Sequence, residues 1–192
     1  MIIYLLLFFK IEAEKMNFIA MDFETANRYP ESACSLALVM VRNNQIVDRF
    51  YTVINPQMPF DAQNIKVHDI TAEDVKDAPT MAEVWPYIKE LYQPGMLVAA
   101  HNARFDTNVL KQSLARYDIP EPHYLVIDSL KTSRKFEPEL PNHKLDTVSE
   151  ALEVELWHHH NALSDSEACA GILLAQRKLF GDEAIKQFVY QI

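Results

Sequence analysis

The 192-residue chain has three glycines, two cysteines, and only 18 lysines and arginines against 27 aspartates and glutamates. Each shortage excludes something. With so little glycine and no low-complexity tract there is no flexible linker. One domain is therefore expected, in the ~100–200 residues that a single core commonly spans. Cys34 and Cys169 are too few for a disulfide framework in a chain of this length, so a reduced, cytoplasmic protein is expected. The net charge of -9 excludes a passive nucleic-acid coat, because such binders draw most of their affinity from neutralising phosphates. It does not exclude an enzyme on a polyanion where metal ions carry the neutralisation. The apolar run Ile2–Phe9 falls short of the ~20 residues of a membrane helix, and it lacks the basic flank and small-residue cleavage site of a secretory signal. No membrane partner is expected. "MNFIAMDFET" from Met16 reads as an ordinary start. Residues 1–15 are accordingly expected to be an extension outside the fold, and 16–192 a single domain.

What is present is enough apolar surface for a core, at 49% hydrophobic and 10% aromatic residues. "NFIAMDF" (17–23) reads as a buried strand, and 35–55 as a hairpin around Asn43-Asn44-Gln45. Two helices are expected at 71–75 and 80–92. Thr71 and Thr80 would be their N-caps, Glu83 would complete a box with Thr80, and Pro86 would kink the second helix or shift its start. Strands at 96–101 and 124–128 flank a helix over 104–117. Further helices follow Asn142 and Ser164, the latter boxed by Glu167. Strands alternating with helices in the second half imply parallel pairing, and the hairpin implies antiparallel pairing. The expectation is an α/β fold, a mixed sheet with helices on both faces.

Acids gather where strands end and helices begin. Asp22 and Glu24 lie two apart on a strand, so they share a face. Two adjacent carboxylates are costly to bury without a cation, although taken alone the pair reads first as a strand end turning into solvent. Asp106 stands in the first turn of the 104–117 helix, where an acid also complements the helix dipole, and Asn102 is a candidate cap. "HHHNALSDSEA" (158–168) sets His160 in a loop five residues before Asp165 at a helix start, so the two can converge on one point. Zinc is the competing reading. Consecutive residues in an extended run point apart, however, so His158, His159 and His160 cannot all face one ion. Cys169 is expected in the core.

Taken in order, "DFET", "HNARFD" and "HNALSD" resemble the three motifs of the DEDDh 3′–5′ exonucleases, the superfamily of the polymerase III epsilon proofreading subunit. "HDITAEDVKDAPTMAEVWP" (68–86) and "LPNHKLDTVSEALEVE" (140–155) resemble the segments between those motifs, and the similarity runs from about Asn17 to Phe180. The resemblance implies a ribonuclease-H-like fold with a five-stranded mixed sheet. It implies catalytic roles for Asp22, Glu24, Asp106, His160 and Asp165, the four acids holding two Mg²⁺ ions, with Mn²⁺ able to substitute. Two such ions, ~4 Å apart, clamp the attacking and leaving oxygens of an in-line displacement. Asp22 would bridge them, Glu24 and Asp165 would complete the site of the attacking water, and Asp106 would serve the second ion. His160 would take the water's proton, with His159 next in line if the register differs by one.

The implied reaction is hydrolysis of the terminal phosphodiester at a single-stranded or frayed 3′ end of DNA, releasing nucleoside 5′-monophosphates. An RNA-trimming enzyme and a non-catalytic nucleic-acid-binding module on the same fold are the alternatives. Thr25, Ala26, His68, Asn102 and Phe105 are expected near the bound nucleotides, His68 alternatively capping a helix and Phe105 alternatively in the core. Arg28, Lys131, Arg134, Lys135 and Lys144 are candidates for the backbone, or simply solvated. Twelve residues beyond Phe180 are little for the tail with which the epsilon subunit holds its polymerase, so a stable place in a polymerase holoenzyme is not expected. The sequence assigns no other protein partner and no state of self-association.

Overall fold

The computed structural model describes residues 15–192. The expected extension thus lies, but for the exposed Lys15, outside the described residues. Met16 already belongs to the fold: its amide donates to Asn44 Oδ1 at 2.7 Å and its side chain packs on the core. The chain runs β1 (Phe18–Thr25), β2 (Ala33–Arg42), β3 (Gln45–Val53), α1 (Ala62–His68), α2 (Met81–Ile88), β4 (Leu97–Ala100), α3 (Arg104–Ala115), β5 (Leu125–Asp128), α4 (Ser129–Phe136), α5 (Leu145–Ala151), α6 (Ala162–Phe180), α7 (Asp182–Lys186) and β6 (Tyr190–Gln191).

The sheet order is β3-β2-β1-β4-β5-β6. β1, β4 and β5 are parallel, while β2, β3 and β6 run antiparallel to their neighbours. The sheet therefore has six strands rather than the five expected. The sixth is two residues long, Val126 pairing with Tyr190, too short to leave a sequence period.

Strand alternation divides the core. Ile19, Met21 and Phe23 of β1, with Leu36 and Leu38 of β2, face α2 and α3. Phe18, Ala20 and Val39 face α6 and α7, where Cys169, Ala170, Leu173 and Ile185 meet them. Helices thus cover both faces, as expected. Each fully buried Leu, Ile or Phe here contributes ~1.5–3 kcal/mol. By the same alternation Asp22 and Glu24 fall on the α6 face, at the strand's carboxyl end. Both cysteines are free and buried.

Local boundaries differ in places. Residues 71–75 form turns rather than a helix: Asp74 Oδ2 accepts both the amide and the hydroxyl of Thr71, closing a cap on a segment too short to propagate. Pro86 sits inside α2, which tightens into a 3₁₀ turn at Lys89–Tyr92; the Thr80–Glu83 box forms as expected. Lys144, not Asn142, is the N-cap of α5, although Asn142 Oδ1 still accepts the Lys144 amide. Asn161, not Ser164, caps α6 by accepting from the Ser164 amide, and Glu167 pairs with Arg49 on β3 instead of boxing the helix.

Candidate active site

Three segments distant in sequence meet at the carboxyl ends of β1 and β4, where the sheet order turns outward in both directions, a usual place for an α/β site. β1 contributes the partly buried Asp22 and Glu24. The first turn of α6 lies over them and brings Asp165, 6% exposed. Carboxylate oxygens of Asp22, Glu24 and Asp165 lie within 4.8 Å of one another. Asp106, 1% exposed in the first turn of α3, closes the group from the other side. Its Oδ1 accepts the Phe23 amide at 3.1 Å, locking α3 onto β1 between the two acids.

The electrostatics follow from this crowding. Burial, then the charges of Asp106, Glu24 and Asp165, push the Asp22 pKa well up. Burial and Asp165 push Glu24 to about 8. Burial pushes Asp106 to about 8 against the Phe23 amide, which favours its charged form. Asp165 is raised, mainly by burial, with His159 and His160 opposing. Acids this close resist sharing charge unless a cation lies among them. Hard oxygen donors in such a group are the ligand chemistry of a divalent cation.

The histidine run resolves differently from an extended strand. His160 has φ +66°, and that left-handed kink turns its ring to stack on His159 with centroids 3.9 Å apart. The run is therefore not extended at this point, and His159 and His160 point together, although the three histidines still do not face one point. The ring nitrogens of His159 and His160 and the Asp165 carboxylate lie within 4.8 Å of one another. His159 Nδ1 is 3.3 Å from Asp165 Oδ1, and the His160 amide donates to Asp165 Oδ2 at 3.1 Å. Burial, then His159, lowers the His160 pKa, keeping its ring neutral at pH 7. His158 is outside the group; its amide donates to Ser164 Oγ.

The substrate candidates divide. Phe105 is 45% exposed and lines, with Asn102, a groove of about 460 Å³ beside Asp106. Asn102 caps no helix. Its backbone is left-handed, φ +70°, and its amide donates to Asp128 Oδ1. Thr25 and Ala26 are buried; the Ala26 amide and carbonyl are both spent within the protein, on Ser32 and Asp61. His68 ends α1 and is buried. Its Nδ1 accepts the Ile70 amide, so Nε2 carries the proton and donates to the Thr25 carbonyl at 3.1 Å. Asn64 Nδ2 donates to the same carbonyl at 2.8 Å. Together they fix the chain just past Glu24.

Two contributors had no signal strong enough to single them out. Asp128, 2% exposed at the end of β5, caps α4 through the Leu130 amide and adds a further negative charge beside Asp106. An acid closing the apolar strand "YLVID" was the available clue. His101 Nδ1 meets Ser129 Oγ at 2.9 Å, and Nε2 meets the His143 carbonyl at 2.9 Å, tying the loop before α5 to the site's floor. That link needs the fold.

Comparison with known proteins gives the family and the fold. The family model described as exonuclease, RNase T type, matches residues 19–173. DNA polymerase III PolC-type of Caldanaerobacter subterraneus is 34% identical over 172 residues, covering 88% of this chain and 12% of that protein. The Bacillus subtilis PolC-type polymerase is 33% identical over 180 residues, covering 92% and 12%. The chain thus spans about 12% of the length of the curated relatives it matches. Among solved structures, Exonuclease X in complex with 5′ overhanging duplex DNA superposes with a TM-score of 0.73 at 24% identity, covering 89% of this chain and 98% of that one. E. coli Exonuclease I in complex with a dT13 oligonucleotide gives a TM-score of 0.75 at 15% identity, covering 91% and 43%. These likenesses establish the ribonuclease-H-like fold. With a matching family model that spans most of the described residues, and polymerase relatives above 30% identity, the chain belongs to the RNase T exonuclease family, within the DnaQ-like 3′–5′ exonucleases.

Proposed function

We propose that this chain is a divalent-metal-dependent 3′–5′ exonuclease that removes nucleoside 5′-monophosphates from the 3′ end of DNA. The observation that carries the reading is the meeting of Asp22, Glu24 and Asp165 oxygens within 4.8 Å, with Asp106 bonded to the backbone between the first two. The preference for DNA is supported by the relatives' names, which are DNA polymerases.

Asp22, Glu24 and Asp165 would hold one Mg²⁺, and Asp22 with Asp106 a second; Mn²⁺ has the same hard-oxygen preference. Such ions supply charge to phosphate oxygens and acidify water. His160 would accept the proton of the attacking water, its neutral ring set beside Asp165 by the kink at its own backbone. His159, against Asp165 Oδ1, would keep that carboxylate oriented. The water oxygen joins the terminal phosphorus, the bond to the preceding nucleotide's O3′ breaks, and that oxygen takes up a proton. The α1 contacts to Thr25 would hold the loop beside the terminal sugar.

Digestion of 3′-labelled and 5′-labelled single-stranded DNA and RNA oligonucleotides, with and without EDTA, tests polarity, metal need and substrate together. Mononucleotide release from the 3′ label first, on DNA, abolished by EDTA, is expected. Release from the 5′ end, or release that survives EDTA, would overturn the reading.

A further inference from the structure

The groove beside Asp106 gives α3 a second face. Arg104, Thr107, Asn108 and Lys111 stand at i, i+3, i+4 and i+7, one side of the helix, and all line the groove with Phe105 and Asn102 at its upper end. Arg104, Asn108 and Lys111 are exposed, whereas Asp106 points inward. In a chain of net charge -9, the exposed side of this helix therefore presents two cations and no acid. The acidic side chain that lines the groove, Glu121, comes from the segment after α3 and holds Lys111 Nζ at 2.7 Å, and Ile192 lines the groove as well. Both partners are substantially exposed, so the pair is weakly held and an incoming anion can displace it.

We infer that this groove seats the DNA strand upstream of the reacting end, with Phe105 under a base and Arg104 and Lys111 on two separate phosphodiesters. This rests on the exonuclease reading. Arg104 and Lys111 lie seven residues apart, about 10 Å along the helix axis, which suits more than one backbone unit. A half-exposed aromatic ring beside cations is the usual platform for single strands, where stacking is indifferent to base identity. Glu121 then acts as a counterion that the strand replaces, keeping Lys111 extended along the groove until DNA arrives.

The test compares two substrates. A single-stranded DNA oligonucleotide reaches along the groove; the p-nitrophenyl ester of thymidine 5′-monophosphate reaches only the acids. For Arg104→Ala/Lys111→Ala, KM for the oligonucleotide should rise about tenfold. The slope of log(kcat/KM) against log[salt] should become shallower by ~1.4, two phosphates at ~0.7 each. Ester hydrolysis should stay within about twofold of wild type. Glu121→Gln should lower the oligonucleotide KM. Both replaced cations are exposed, so an unchanged Tm is expected. Wild-type KM and salt slope in the double variant, with the ester still hydrolysed, would overturn the groove and leave the exonuclease standing. Hydrolysis of neither substrate by the wild-type protein would remove both readings.

Discussion

The Asp106 carboxylate accepts the Phe23 amide across 83 residues of chain. One group thus fastens α3 to β1 and also adds a buried charge to the acid cluster, and these two effects oppose each other. Asp106→Asn keeps the acceptor and removes the charge. It is expected to abolish oligonucleotide cleavage while raising the metal-free Tm at pH 8, measured by thermal melts in EDTA. A lower Tm would show that the charge, not the bond, holds the contact. Asp106→Ala should be the less stable variant, by ~1–3 kcal/mol relative to Asn, because it leaves the Phe23 amide buried without a partner.

The pH dependence follows from the same crowding. Glu24 and Asp106 are both pushed up to about 8. A group with a raised folded pKa favours the folded state while protonated, so its contribution is fully present below its unfolded value, about 4. That contribution is lost as pH rises through about 8. In EDTA, Tm should therefore fall between pH 5 and pH 9. Because the cation binds the ionised carboxylates of the folded chain, millimolar Mg²⁺ should raise Tm more at pH 8 than at pH 5. An Mg²⁺ shift equal at both pH values would contradict the carboxylates as its ligands.

Burial and three neighbouring acids together push the Asp22 carboxyl well up. Asp22→Ala should reduce oligonucleotide cleavage below detection and leave the circular dichroism spectrum native. It should also diminish the Mg²⁺ shift in Tm. Activity near wild type would displace Asp22 from the chemistry.

The stacked His159 and His160 rings make the assignment of the base a matter of rates. His160→Ala is expected to lower kcat by ~10²–10⁴, the range for general-base loss. His159→Ala should cost less, since its ring contacts Asp165 and can be partly replaced by water. A larger loss for His159→Ala in steady-state assays would transfer the base to that ring.

Gly171 lies in the middle of α6, where glycine normally weakens a helix. A Cβ there would come within 2.5 Å of Val154 Cγ1, so the missing side chain lets the segment after α5 close onto α6. Gly171→Leu is expected to destabilise the protein by ~1–3 kcal/mol through overpacking, read as a lower urea midpoint. Combining it with Val154→Ala should recover part of the loss.

Much of this was determined by the sequence alone, because it rests on local rules. β1 and the hairpin of β2 and β3 follow from apolar runs broken by Asn43-Asn44, both of which take positive φ. The Thr80–Glu83 box and the first-turn positions of Asp106 and Asp165 follow from spacing. The exonuclease family followed from the resemblance that the ordered motifs carry, and the family match agrees with it. What the tertiary structure decided is everything set by approach between distant segments. α6 takes its cap from Asn161 because Ser164 is drawn to the His158 amide. Glu167 leaves its own helix for Arg49, and Asp128 joins the acids through the amide of Asn102. The left-handed turn at His160 is a further such case, since its amide is held by Asp165 and its ring then falls on His159. Periodicity reports which face a side chain takes, but Coulomb repulsion and hydrogen bonding act through space. Only the folded chain fixes those distances.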